Sequence, residues 1–386
     1  MRFSSRLPWS VPENRLWQAL ARRRAEGRRV LDLTQSNPTR AGFVYGDRIC
    51  AALADPRALV YDPHPAGSPA AREAVAAWCT RRGPKVHPWE VVLASGTSDA
   101  YAWLFKLLCD PGDEILAPRP SYPLFEFLAG LESVRVVPYA LVYDGRWWVD
   151  WDSLERAAGP RARAVVVVQP NNPTGSFLNR DEIRRLAAFC AARGLAIVSD
   201  EVFAEYPLGG EVPPSLSIQA VAPCFVLGGL SKAAGLPQMK LSWIVVGGPE
   251  EFRRAAIERL ELIADTYLPV GTPVQCALPV LLEEGERVRD QILLRTRENY
   301  RWLVGRFGAE SPVSVLAAAA GWYAVLRVPR VRSEEDWCLE LLERGVLMQP
   351  GYFYDFAEEA YLVLSLLTPP GELAEGVEVL AMLAGC

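Results

Sequence analysis

Short apolar runs recur along this chain, and three of them stop on a polar residue in a way that predicts both a fold and a site. Residues 164–169 (AVVVVQ) lead into Asn171-Asn172-Pro173-Thr174-Gly175, residues 195–199 (LAIVS) into Asp200-Glu201, and residues 224–227 (CFVL) into Gly228-Gly229-Leu230-Ser231-Lys232. Asn172 and Asp200 are 200 − 172 = 28 positions apart, and Asp200 and Lys232 are 232 − 200 = 32 apart. Each interval is the length of a strand–helix–strand unit, so the three polar ends are predicted at one edge of one sheet. Ligands of open α/β sheets bind outside the carboxyl ends of the strands.

The rest of the pattern extends this reading. Residues 15–26 read as a helix, and 30–34 as a short strand entering the polar loop Ser36-Asn37-Pro38-Thr39-Arg40. Helical character returns at 70–81, with Trp78 on the apolar face. A strand at 89–94 (WEVVLA) stops at Ser95-Gly96-Thr97-Ser98, before an apolar helix at 99–109. Another strand, 114–117, precedes Pro118-Arg119-Pro120-Ser121-Tyr122-Pro123. Strand and helix alternate to about residue 248, which predicts an α/β fold: a large, mainly parallel sheet flanked by helices. A charged helical stretch at 281–308 is long enough to bridge two domains, and 313–386 reads as a smaller α+β unit with strands at 322–328 and 361–366. The expected division is 1–45 joining the small domain, 46–285 as the large domain, and 286–386 as interdomain helix and small domain.

Composition narrows the function classes. The chain has 386 residues, half of them hydrophobic, with a net charge of −5. That balance argues against nucleic-acid or anionic-membrane partners, and the basic cluster at 22–29 reads as a solvated helix face. No apolar run is long enough to span a membrane, and residues 1–12 lack a secretory h-region. Eight scattered cysteines without a C-x-x-C pair read as free thiols of a reducing, cytoplasmic protein, and two histidines make a His-based metal site improbable.

The polar strand ends suit a carbonyl–amine cofactor. Lys232 follows an apolar strand, where desolvation depresses an amine's pKa and makes it a nucleophile. Asp200, at the tip of a buried strand, can hold a proton on a pyridine nitrogen. The tight turn at Asn172 lets its amide donate to a phenolic oxygen. Gly96, Thr97 and Ser98 open a helix N-terminus suited to a phosphate, with Ser231 and Lys240 able to add a hydroxyl and a cation. Tyr122, in a stiff loop, can stack on a flat ring.

In this order, S-G-T-S, P-S-Y-P, N-N-P-T-G, S-D-E-V-F and G-L-S-K-x-x-G-L-P resemble the class I/II aminotransferases, the fold type I enzymes of pyridoxal 5′-phosphate. The resemblance spans about residues 32–370. It implies that Lys232 forms the Schiff base, Asp200 pairs with the pyridine nitrogen, and Asn172 contacts the ring hydroxyl. Tyr122 would stack on the ring, while Gly96, Thr97, Ser98 and Ser231 would hold the phosphate. It also implies a homodimer in which Tyr61 reaches a neighbouring subunit's phosphate, and an amino donor and 2-oxo acid acceptor as substrates.

Four positions depart from that pattern. Phe203 stands where a tyrosine is common, Gly229 where a phosphate-binding serine is frequent, and Lys240 where an arginine is usual. Val363 occupies the place of the arginine that clamps the substrate carboxylate. Another cation then takes that role, with Arg40 the first choice and Trp322 a pocket-lining candidate, or the substrate lacks a carboxylate there, or activity is lost. A β-lyase or decarboxylase would use the same lysine, aspartate and asparagine, and a non-catalytic cofactor-binding protein is the third reading.

Overall fold

The computed structural model describes residues 3–9, 14–81, 83–210, 212–218 and 221–386. Part of the N-terminal stretch assessed above for a leader, residues 1–2 and 10–12, lies outside them.

A two-residue strand, β1 (Leu31–Asp32), is followed by the strands of an eight-stranded sheet: β2 (Val91–Ala94), β3 (Glu114–Arg119), β4 (Arg135–Tyr143), β5 (Trp147–Val149), β6 (Ala162–Val168), β7 (Ala196–Asp200), β8 (Cys224–Gly229) and β9 (Ser242–Gly247). Their order in space is β2-β9-β8-β7-β6-β3-β4-β5. The pairs β3–β4, β3–β6, β6–β7 and β7–β8 are parallel, whereas β9 runs antiparallel to both β2 and β8. Every residue of β2, β7, β8 and β9 is buried. That is why these runs are continuously apolar: helices cover both faces, leaving no solvent side to demand alternation. One helix layer packs with Val91, Leu93, Val165 and Ile197, the other with Val92, Ala94, Val166 and Val198.

Helix Arg180–Arg193, between β6 and β7, shows how the sequence fixes its crossovers. Asn179 accepts from the Asp181 and Glu182 amides, the Glu182 carboxylate returns to the Asn179 amide, and Gly194 ends the helix at φ 65°. This is a capping box with a left-handed glycine stop.

Strands β10 (Ser314–Val315), β11 (Tyr323–Arg327), β13 (Gln349–Pro350) and β14 (Tyr361–Ser365) form a second sheet in the order β10-β11-β14-β13, and β12 (Val346–Leu347) pairs with β1. Residues 31–32 of the N-terminal segment are thus paired with residues 346–347 of the C-terminal one. Between the two sheets runs a single helix, Thr272–Arg306, of 35 residues. It begins nine positions before the expected 281. Pro273 sits in its first turn, where a missing N–H costs nothing, and the apolar Val274, Leu278 and Leu281 continue its buried face upstream of the charged stretch.

Candidate active site

The parallel register of β6, β7 and β8 brings Asn172, Asp200 and Lys232 to one sheet edge. Asp200 ends β7 and is buried. Its Oδ2 accepts from the Tyr101 hydroxyl at 3.0 Å and its Oδ1 from the Val202 amide at 3.2 Å. Burial pushes the carboxyl up to about 6, against the opposing pull of those two hydrogen bonds and of Lys232. Two neutral donors leave a desolvated carboxylate short of charge compensation, so this position calls for a cationic or protonated partner.

Lys232 sits in the single turn Leu230–Ala233 directly after β8. Its Nζ lies 5.3 Å from the Phe203 ring centroid and 4.8 Å from that of Trp322. Burial pushes the ammonium down to about 8, with Asp200 partly opposing. At neutral pH the free-base fraction is then about 300-fold that of a lysine at its ordinary value. The rate at which cofactor-free protein captures pyridoxal phosphate should rise about tenfold per pH unit up to pH 8 and level off. A rate still climbing at pH 10 would show an ordinary lysine. The Tyr206 hydroxyl donates to the Lys232 carbonyl and so fixes the backbone beneath the amine.

The two neighbouring asparagines divide their work. The Asn171 amide donates to the Pro120 carbonyl at 3.0 Å and to the Thr174 hydroxyl at 2.9 Å, and its Oδ1 accepts from the Ser121 hydroxyl. Asn171 therefore ties the turn to the loop that carries Tyr122. Asn172 Oδ1 is buried without any hydrogen-bond partner. A buried amide with unfilled capacity calls for a polar atom the protein does not supply.

Gly96 caps the helix Thr97–Leu108 without a side-chain hydrogen bond, and a Cβ placed on it would meet nothing within 4 Å. The first intrahelical bond runs from the Ala100 amide to the Gly96 carbonyl, so the amides of Thr97, Ser98 and Asp99 have no helical partner, as a phosphate site requires. Thr97 and Ser231 are partly exposed and Ser98 is exposed. Burial, then the charge of Asp200, raises the Tyr122 hydroxyl, which puts that side chain within electrostatic reach of the carboxylate. A desolvated carboxylate, a low-pKa lysine, an unfilled amide and an open helix end match the pyridine nitrogen, aldehyde, ring hydroxyl and phosphate of pyridoxal phosphate, so the residues fit that group.

Other expected residues are not joined to this centre. Tyr61 is 79% exposed, and Arg40 and Lys240 are exposed. Among the described residues no hydrogen bond or ion pair links any of the three to Lys232, Asp200 or Asn172. Trp322, by contrast, is fully buried beside the lysine, packed edge-on against Phe203 at 5.1 Å and Tyr206 at 5.0 Å.

Three departures have local physical reasons. Phe203 offers the lysine an apolar ring where a hydroxyl would have bonded, so desolvation takes over the lowering of amine basicity. A Cβ on Gly229 would lie 2.9 Å from Ser242 Cβ on the adjoining strand β9, too close for a serine without displacement. Val363 is fully buried, level with Val325 and Gln349 on neighbouring strands and in one cluster with Trp322, Tyr323 and Tyr354. An apolar wall occupies the place of the guanidinium.

Tyr101, Tyr206, Tyr323 and Tyr354 were not legible as site residues. The one available signal was Tyr101, a hydroxyl on the otherwise apolar helix behind S-G-T-S.

Fold and site together define a fold type I enzyme of pyridoxal phosphate. The chain belongs to the aminotransferase class I and II family, pyridoxal-phosphate-dependent transaminases, whose match runs over residues 40–380. It is 28% identical over 376 residues to the alanine aminotransferase of Mycobacterium tuberculosis strain H37Rv, covering 94% of this chain and 87% of that one. A shorter match, 28% over 245 residues, is to the S-alkyl-thiohydroximate lyase of Arabidopsis thaliana, covering 62% of this chain and 53% of that one. The solved alanine aminotransferase from Pyrococcus furiosus superposes with a TM-score of 0.88 over the full length of both chains at 22% identity, a likeness of fold.

Proposed function

We propose that the enzyme moves an amino group between an amino acid and a 2-oxo acid, with Lys232 as anchoring amine and proton carrier. The observation that carries this reading is the convergence of low-pKa Lys232, buried Asp200 and unfilled Asn172 at one sheet edge. When bound, pyridoxal phosphate supplies the electron sink that makes the donor's α-hydrogen acidic. Lys232 Nζ takes that hydrogen as a proton and returns it to the acceptor side of the same reacting system, a task suited to an amine with pKa near the working pH. Asp200 would hold a proton on the atom facing it, and the unfilled Asn172 Oδ1 would accept from the ring hydroxyl. Tyr122 would stack on the ring, while Gly96, Thr97, Ser98 and Ser231 would hold the phosphate, with exposed Lys240 as a further cation for it. Phe203 and Trp322 set apolar rings beside the amine of Lys232, which is itself partly exposed.

Three further assignments accompany this. Leu59, Val60 and Tyr61 are 90%, 63% and 79% exposed in a row, an apolar strip that suits a second copy and would bring Tyr61 to its phosphate. No disulfide joins the eight cysteines among the described residues, which fits a reducing cytoplasm. We place the domain division at about residues 45 and 285, a reading supported by the two separate sheets, with helix Thr272–Arg306 as the connector.

Arg40 is the cation we assign to the substrate carboxylate. It ends the turn Pro38–Arg40, fixed by Asn37 accepting from the Thr39 amide, and it has no ion pair among the described residues. The next residue, Ala41, is buried in the cluster that holds Val363 and Trp322. Arg40→Ala is expected to raise KM for the amino donor about tenfold or more with kcat nearly unchanged. An unaltered KM rejects the assignment.

A panel of amino acids beginning with alanine, each with a 2-oxo acid, tests the reaction itself. A new amino acid is the expected product. Ammonia or carbon dioxide instead would support elimination or decarboxylation, a reading favoured by Val363 and by the similarity to a lyase.

A further inference from the structure

Register in the second sheet pairs Tyr323 with Ser365, Val325 with Val363, and Arg327 with Tyr361. Alternate residues share a face, so one face carries three rows. The inner row holds Tyr323, whose ring lies 6.3 Å from that of Phe203 beside Lys232. The middle row, Val325 and Val363, is fully buried and seals that side of the lysine cleft. The outer row, Arg327 and Tyr361, opens into a different cleft of about 680 Å³ between the two sheets. Lys232, Asp200 and Asn172 do not line it.

Two features of this cleft specify a ligand. Its wall is a chain of four rings: Tyr143 meets Trp147 at 5.2 Å, Trp147 meets Phe356 at 5.9 Å, and Phe356 meets Tyr361 at 4.7 Å. Its charges leave one cation over. Arg119 pairs with Asp355 at 3.6 Å and Arg330 with Glu358, whereas Arg327 has no carboxylate partner among the described residues.

We propose that this cleft is a second small-molecule site, taking a flat aromatic monocarboxylate whose ring lies along the four-ring wall and whose carboxylate meets Arg327. One unpaired guanidinium matches one negative charge, which favours a monocarboxylate over a phosphate. The volume suits a ligand of one or two rings. Such a molecule touches residues of both sheets at once.

Indole-3-acetate is the probe, with uncharged tryptophol as its control, titrated calorimetrically into holoenzyme. Indole-3-acetate is expected to bind once per chain, about tenfold or more tighter than tryptophol. Arg327→Ala should reduce indole-3-acetate to the tryptophol level, and Arg327→Lys should restore part of the difference, with cofactor absorbance unchanged in both. No binding to the parent enzyme, or equal affinity in Arg327→Ala, overturns the proposal. So does a purely competitive rise in KM for the amino donor, which would place the probe in the lysine cleft. The calorimetric results stand whether or not the chain proves to transaminate.

Discussion

Lys232→Ala is expected to cost about 10⁴ or more in kcat/KM for amino transfer, because one substitution removes both the anchoring nucleophile and the proton carrier. The magnitude alone does not separate a chemical role from a collapsed site, so two further readouts do. Cofactor binding should persist in the variant, since Asp200, Asn172 and the open N-terminus of helix Thr97–Leu108 remain. Borohydride, which fixes the cofactor to the parent chain on the peptide containing residue 232, should fix nothing in the variant. Label on another lysine, or residual activity within tenfold of the parent, would remove Lys232 from the mechanism. Added methylamine should recover part of the proton-transfer rate, as a small amine can enter the space the side chain leaves between Phe203 and Trp322.

What could be read before the structure follows a physical rule. Strands β6, β7 and β8 were legible because buried parallel strands need continuous apolar runs, and the change to Asn172, Asp200 and Lys232 marks where each leaves the sheet. The long helix was legible only where charged residues gave it periodicity. Its first nine residues carry no charge and include Pro273 and Pro279, so they read as an apolar segment broken by proline and not as helix. Strand β9 has the same apolar signature as its parallel neighbours, and nothing local encodes that it runs antiparallel to β2 and β8. The Tyr101–Asp200 hydrogen bond joins residues 99 positions apart, and that partner is chosen by the packing of a helix on a sheet. Likewise, Val363 could be seen as a missing arginine. That Arg327 stands one row farther out on the same face depends on cross-strand register, which only pairing reveals.

The departures act together. An apolar ring at 203, a close-packed glycine at 229 and a sealed wall at 363 all withdraw polar contacts from the Lys232 side, leaving burial to set the amine's basicity. The polar capacity that remains lies with Asp200 and Asn172 on the neighbouring strand ends. The site is therefore organised around a few uncompensated groups, and these should be visible as a cost to the cofactor-free protein.

Asp200→Asn should show that cost directly, by lowering activity and raising stability in the same variant. Loss of the charge that holds the ring-nitrogen proton is expected to reduce kcat by about 10²–10³. The folded carboxyl is raised from 3.8 to about 6, so the folded chain keeps its proton while the unfolded chain has released its own. Stability therefore falls as pH rises from about 4 to about 6 and stays low above that. A gap of 6 − 3.8 = 2.2 pH units corresponds to about 3 kcal/mol. Asparagine cannot ionise and avoids the penalty. It also keeps the local bonds, since its oxygen can accept from the Val202 amide while its NH₂ donates to the Tyr101 oxygen. Lys232 offsets part of the gain, because it loses the one charge that favours its protonated form. Denaturant unfolding of cofactor-free protein should therefore find the variant more stable than the parent at pH 8, by up to about 3 kcal/mol, with the advantage shrinking toward pH 4. An advantage of the same size at both pH values would mean that packing, and not the buried charge, distinguishes the two side chains.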